Sequence, residues 1–185
     1  MTQRRIYLDQ YPYFVTFRTR VDLKIFEDGE YAEMLSRIIF NAGRLKRFNI
    51  LAYQIMPDHV HVLTCQQTPI IGAGDIHIPR ARASASAIGK VYPIAPRDGC
   101  ARGKNVSELI HGIKSYFATE IRQKFGINYS VLQPRFYSRT VNTDAYLYTV
   151  VEYIRFNPIK ARLPKKYHHM PYQLMDTKLI KLLFY

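Results

Sequence analysis

The eight residues MPDHVHVL, at positions 56–63, contain the pattern that decides the fold. Their second half is an apolar, valine-rich run that predicts a β-strand. Side chains in a strand alternate between its two faces, so His59 and His61 project from one face. Val60 and Val62 project from the other, which we expect to pack against the core. Two adjacent imidazoles can hold one metal ion, although such a pair alone is equally typical of solvent-facing or hydrogen-bonded histidines.

A second stretch, VEYIRFNP at positions 151–158, has a helical pattern. It places Tyr153 and Asn157 one turn apart on the same face. A phenol, an amide oxygen and the two imidazoles can therefore meet at one cation. Two simpler interpretations stay open: Tyr153 as a core aromatic of an amphipathic helix, and Asn157 as a helix cap. Tyr146, two turns earlier on a similar face, is the second candidate for a reactive tyrosine.

The rest of the chain predicts strands and helices around these two stretches. Strands are expected at 13–19, 49–56, 59–66 and 136–141. Helices are expected at 30–47, from Asn105 or Ser107 to Gly126, and from an Asp144 cap to Asn157, where Pro158 should end the helix. This order predicts an α+β fold, a ferredoxin-like antiparallel sheet of four strands with helices on one face. The last helix would cross the face that carries the histidines.

The length of 185 residues predicts a single domain spanning 1–185, with one insertion and one tail. The insertion, at about 68–104, is rich in Gly, Pro, Ala and Ser and carries scattered arginines and lysines. It fits a flexible basic loop or, alternatively, an arm that grips a phosphate backbone. The tail begins at about 164, and its apolar residues near Leu179 and Ile180 predict a short helix on the body.

The charge of the chain is its most informative bulk property. Lys and Arg number 27 against 14 acidic residues, a formal net charge of +13. Such an excess favours a polyanionic partner, most simply nucleic acid, over a merely basic protein. No apolar run reaches the roughly 18 residues of a membrane span, so no membrane partner is expected. Two cysteines and the absence of an apolar signal core favour a cytoplasmic protein.

These motifs together resemble a known family. The segment 59–61 resembles the histidine-hydrophobe-histidine (HUH) motif of single-strand DNA transposases that use one tyrosine. With Met-Pro-Asp before it, QPRFY at 133–137 and YIRFNPIKA at 153–161, the chain resembles the REP-associated tyrosine transposases. The resemblance runs from about 13 to 163 and omits the insertion and the tail. It departs at Leu132, where the family often has Trp, which we interpret as a packing change that leaves the chemistry alone.

The resemblance implies a metal-dependent enzyme that nicks and joins single-stranded DNA at hairpin-type repeats through a 5′-phosphotyrosine. Tyr153 would be the nucleophile, and His59, His61 and Asn157 the metal ligands. A shell of imidazole and oxygen donors with open positions fits Mg²⁺ or Mn²⁺, whereas a neutral amide is an unusual zinc ligand. Two other functions remain open: a non-catalytic nucleic-acid-binding module, and a metal-dependent nuclease that uses water.

Single strands are bound by basic grooves with aromatic stacking, so the partner expected is single-stranded or hairpin DNA. The candidate DNA contacts are Arg4, Arg5, Arg18, Arg135, Arg139, Arg155, Lys160 and Arg162, each of which also fits a solvated surface charge. The protein is expected to be a monomer or a homodimer. Related dimeric transposases can combine the tyrosine of one subunit with the histidines of the other.

Overall fold

The computed structural model describes residues 11–20, 23–67 and 105–183. The predicted insertion at 68–104 and the candidate contacts Arg4 and Arg5 lie outside the described residues. Five strands are present within them: β1 (Tyr13–Arg18), β2 (Phe48–Ile55), β3 (His59–Gln66), β4 (Tyr137–Thr140) and β5 (Gln173–Met175). The α-helices of the same ranges are α1 (Gly29–Lys46), α2 (Val106–Phe125), α3 (Asp144–Lys160) and α4 (Thr177–Lys181). Two 3-10 turns add Ile25–Glu27 and Lys165–His168.

The strands form one antiparallel sheet in the order β4-β1-β3-β2-β5. Its first four strands have the predicted ferredoxin-like arrangement, with β3 at the centre. The predicted fold class is confirmed, and β5 in the tail adds a fifth strand beside β2 to the four that were expected. A strand of three residues is too short to show an alternating pattern, so only its pairing with β2 reveals it.

The two faces of the sheet are covered by different helices. Val60 and Val62 face the larger core, which residues of α1 and α2 complete. Leu63 faces the opposite side, where it clusters with Val150 and Ile154 of α3. The predicted division is therefore confirmed, with two helices behind the valines and the last helix on the side of the histidines.

The helix ends follow local capping chemistry. Asn105 caps α2 by accepting from the Glu108 amide, and Gly126 ends that helix in the left-handed region at φ 67°. The predicted Asp144 cap of α3 is wrong. Thr143 is the cap, since its hydroxyl accepts from the Tyr146 amide at 3.2 Å. Both residues are good N-caps, and their order along the chain alone does not decide between them.

The C-terminal end of α3 also differs from the prediction. The helix runs through Pro158 to Lys160 instead of ending at Asn157. Proline lacks an N–H, so the carbonyl of Ile154 loses its helical donor. The side-chain amide of Gln173 lies 3.4 Å from that carbonyl and supplies a donor from β5. A contact from the distant tail thus compensates for the proline, which local sequence rules could not anticipate.

The segment before β4 is fixed by one lysine. Lys114 of α2 is largely buried, and its Nζ donates to the carbonyls of Gln133, Pro134 and Arg135, the second of these at 2.8 Å. Leu132, where the resembled family often has Trp, is buried and thus occupies a packing position.

Within the described ranges, no helix is both long and apolar enough to cross a membrane.

Candidate active site

The two histidines stand side by side at the beginning of β3. Their ring centroids are 4.8 Å apart, and His61 is buried whereas His59 keeps partial access to solvent. In the β1–β3 ladder, Thr16 lies opposite His61 and Arg18 lies opposite His59. Directly opposed residues share a face, so these four side chains belong to one polar patch on the α3 side of the sheet.

Each imidazole is held through its Nδ1 atom. His59 Nδ1 is 2.6 Å from a carboxylate oxygen of Asp58, and His61 Nδ1 is 2.8 Å from the hydroxyl of Thr16. Burial raises the pKa of the Asp58 carboxyl, but the hydrogen bond from His59 and the charge of Arg18 outweigh it, so the pKa is lowered overall. An ionised carboxylate only accepts, so His59 donates to it from Nδ1, and in a neutral imidazole this leaves the lone pair on Nε2.

The phenol of Tyr153 reaches the histidines from α3. Its oxygen is 3.3 Å from His61 Nε2, and the two ring centroids are 5.0 Å apart. Phe14 of β1 completes the contact, since it stacks on His61 at 5.5 Å and meets the Tyr153 ring edge-on at 5.8 Å. Tyr153 is 40% exposed. The Tyr153 side chain is therefore held on one side by His61 and Phe14 and is partly accessible to solvent.

The environment of His61 keeps its imidazole neutral. Burial, the neighbouring His59 and the charge of Arg18 lower the pKa of His61 to about 3. Neutral imidazole is the form that binds a metal ion, and the hydrogen bonds to Nδ1 direct Nε2 toward the site. The histidine pair thus fits the chemistry of a metal site, and the same environment excludes His61⁺ near neutral pH.

Asn157, the third predicted metal ligand, is not in hydrogen-bond contact with the histidines in the described part of the chain. Asn157 is half-buried one turn beyond Tyr153, and its carbonyl accepts from the Ala161 amide. Its side-chain amide makes no hydrogen bond to His59 or His61 within the described residues. Nor do those residues contain a group of three or more His, Cys, Asp or Glu side chains that could hold a metal ion. A cation here would need oxygen donors from the amide, from water or from a phosphate.

Among the described basic candidates, Arg18 reaches the histidine pair. Its guanidinium lies 3.7 Å from Asp58, the carboxylate that holds His59. Arg139 of β4 lies one strand further out, where a hydrogen bond with Tyr146 raises its pKa. Tyr146, the second candidate tyrosine, is half-buried against the smaller core. The side chains of the remaining described candidates are exposed, and none of them makes a hydrogen bond or an ion pair with the two histidines: Arg135, Arg155, Lys160 and Arg162.

Three residues of the site were missed by the motif analysis. Asp58 directly precedes His59, so its proximity to that imidazole follows from the sequence, although Met-Pro-Asp was used only as part of the resemblance. Thr16 and Phe14 lie on β1, and their alternation with the buried Tyr13 and Val15 predicts that they share a face. That they meet the histidines depends on the β1–β3 register, which the sequence does not encode locally.

Two solved structures are similar to this chain to different degrees. The chain is similar to a REP-associated tyrosine transposase bound to a REP hairpin, with 22% identity and a TM-score of 0.59 over 94% of this chain and 81% of that one. A putative transposase from Deinococcus radiodurans is 16% identical, with a TM-score of 0.45 over 88% of this chain and 98% of that one. The first of these likenesses establishes the fold. No profile of a known protein family matches the chain, and neither does any curated protein sequence.

Proposed function

We propose that this protein is a single-tyrosine HUH transposase of the REP-associated kind, which nicks and joins single-stranded DNA through Tyr153. The observation that carries the proposal is the distance of 3.3 Å between the Tyr153 hydroxyl and His61 Nε2. Tyr153 is 40% exposed, so it is not a fully buried core aromatic, and its hydroxyl lies against a buried imidazole that has a second histidine beside it. The shared fold supports the same class of protein.

The chemistry is a pair of transesterifications. The Tyr153 hydroxyl gives up its proton to solvent as its oxygen attacks the scissile phosphorus, the bond from phosphorus to the 3′-oxygen breaks, and that oxygen takes up a proton. The products are a 5′-phosphotyrosine and a free 3′-hydroxyl, and a second 3′-hydroxyl reverses the step to join a new strand. Mg²⁺ or Mn²⁺, held by His59, His61 and Asn157, would polarise the phosphate and stabilise the departing oxygen.

The chain's own residues arrange this reaction. Asp58 and Thr16 orient the two imidazoles through their Nδ1 atoms, and Phe14 supports the Tyr153 ring from the sheet. Because Tyr153 is 40% exposed, a phosphate can approach its side chain from solvent. Such preorganisation of a nucleophile lowers the entropic part of the barrier.

The same face of the sheet offers a surface for a single strand. Tyr137 of β4 lies opposite Thr16 in the β1–β4 ladder and is 51% exposed. Arg18 and Arg139 point to the same face by strand alternation. An exposed aromatic between two arginines suits stacking of an unpaired base beside a neutralised phosphate. We therefore propose hairpin DNA with an unpaired flank as the substrate class, in line with the REP hairpin bound by the similar protein.

The test is formation of a covalent adduct. Purified protein is incubated with Mg²⁺ or Mn²⁺ and a labelled hairpin oligonucleotide, and denaturing electrophoresis detects labelled protein. Wild-type protein should form the adduct, Tyr153→Phe should not, and a chelator should abolish it. Tyr148→Phe is the matched control, since Tyr148 is on the same helix and is 62% exposed.

The competing functions give different results in this assay. A non-catalytic module would bind the oligonucleotide in a salt-dependent manner and form no adduct. A nuclease that uses water would cleave the strand without labelled protein, and its activity would survive Tyr153→Phe. Either result would refute the proposal.

A further inference from the structure

The side-chain amide of Gln173 connects the tail to the helix that carries Tyr153. Its Nε2 atom is 2.7 Å from Gln54 Oε1, 3.1 Å from the carbonyl of Arg155 and 3.4 Å from that of Ile154. Carbonyl oxygens only accept hydrogen bonds, so the nitrogen of this amide must point toward the helix. The two carbonyls belong to the residues that directly follow Tyr153.

Gln54 forms the fixed end of this connection. It is completely buried on β2 and lies directly opposite His61 in the β2–β3 ladder. Its Nε2 donates to the carbonyls of Tyr167, at 3.0 Å, and Ile55, at 3.1 Å, which leaves Oε1 to accept from Gln173. A buried amide with both of its ends engaged has one orientation, because any flip leaves polar atoms unsatisfied.

Across the sheet, the connection lies in one row of residues. Gln173 lies opposite Gln54, Gln54 opposite His61, and His61 opposite Thr16. The row therefore runs from the tail strand through the histidine to β1, and α3 is attached at its tail end. The distance between Tyr153 and His61 is thereby set from two sides, by the packing of α3 and by this row.

We propose that Gln173, fixed by Gln54, is a positioning residue for the nucleophile, an inference that rests on the proposed function. It replaces the backbone donor that Pro158 lacks, so the helical turn that carries Tyr153 and Asn157 keeps a defined distance from the histidines. The tail strand β5 is consequently part of the active-site architecture. Gln173 touches neither the substrate nor the reacting atoms in this role.

The first test uses Gln173→Met, which keeps the length and packing of the side chain and removes its donors. The rate of adduct formation in a single turnover should fall about 10- to 100-fold, while affinity for the hairpin stays unchanged. Gln123→Met, an exposed change on α2, is the matched control and should be neutral. A Gln173→Met rate within about twofold of wild type would overturn the inference. So would a parallel loss of DNA affinity and thermal stability, which would indicate a general structural role.

The second test uses the proline. Pro158→Ala restores a backbone N–H that can donate to the Ile154 carbonyl. In that background, Gln173→Met should cost less of the adduct rate than it does alone. If Gln173→Met lowers the adduct rate by the same factor with Pro158 and with Ala at that position, Gln173 does not substitute for the missing donor. That result would overturn this part of the inference.

Hydrogen exchange separates this inference from the proposed function. It is measured on the free protein, without DNA, over peptides covering 153–163. Gln173→Met should raise exchange there and leave α2 unchanged, and the absence of any rise would overturn the inference. If wild-type protein forms no adduct, the proposed function fails, whereas the exchange result still decides whether Gln173 fixes the helix.

Discussion

Replacing Thr16 with valine tests how the buried imidazole is oriented. The change keeps the branched shape of the side chain and removes the hydroxyl that lies 2.8 Å from His61 Nδ1. His61 is buried, so its Nδ1 has no access to replacement water. An unsatisfied buried polar group costs about 1–3 kcal/mol, and the ring becomes free to turn or change tautomer. Nε2 would then no longer be held toward the site.

The assay for Thr16→Val is the rate of adduct formation over a series of Mn²⁺ concentrations. Loss of such a supporting partner typically weakens metal binding about 10- to 100-fold, so half-saturation should shift upward by that factor. Thr149→Val is the matched control, because the Thr149 hydroxyl is exposed and donates only to the Ala145 carbonyl. A half-saturating concentration within about twofold of wild type would refute the orienting role of Thr16.

Three further changes test other parts of the structure. Asp58→Asn removes the negative charge beside His59 Nδ1 and leaves only a neutral acceptor there, so Mn²⁺ affinity measured by calorimetry should fall; equal affinity would show that the carboxylate charge does not support the site. Burial raises the pKa of Tyr53 from 10.0 to about 12. The unfolded chain therefore ionises first, and stability falls as pH rises from about 10 to about 12. Tyr53→Phe should flatten this fall in urea titrations; an unchanged slope would contradict this. Lys114→Met removes the donor to three carbonyls before β4 and should lower the free energy of unfolding in urea by about 1–3 kcal/mol. The matched control, Lys124→Met, changes an exposed lysine and should be neutral. Equal losses in the two variants would show that the contacts of Lys114 contribute nothing specific.

Much of the fold could be predicted from the sequence because its signals are local. Strand alternation around Val60 and Val62 gives the buried face, and Asn105 and Gly126 mark the two ends of α2. These features depend on neighbours a few residues apart. Two features that were not predicted depend on distant partners, since β5 exists through pairing with β2 and α3 passes Pro158 with the help of Gln173. The cap of α3 is different, because Thr143 and Asp144 are adjacent and both are good N-caps.

The residues of the candidate site also differ in whether the local sequence predicts them. His59, His61 and Tyr153 were visible as spacings within one strand and one helix, and the structure brings Tyr153 to His61. The supporting residues were not visible, because Thr16 and Phe14 meet the histidines only through the β1–β3 register. Residues that define a reaction tend to form short motifs, whereas the residues that orient them are distributed over the fold.

The central claim is that Tyr153 is the nucleophile. The direct measurement is peptide mapping, by mass spectrometry, of protein trapped on a hairpin oligonucleotide in the presence of Mg²⁺ or Mn²⁺. The expected product is a nucleotide attached through its 5′-phosphate to Tyr153. Attachment to Tyr146 or to another residue, or the complete absence of a modified peptide from protein that cleaves the strand, would contradict it.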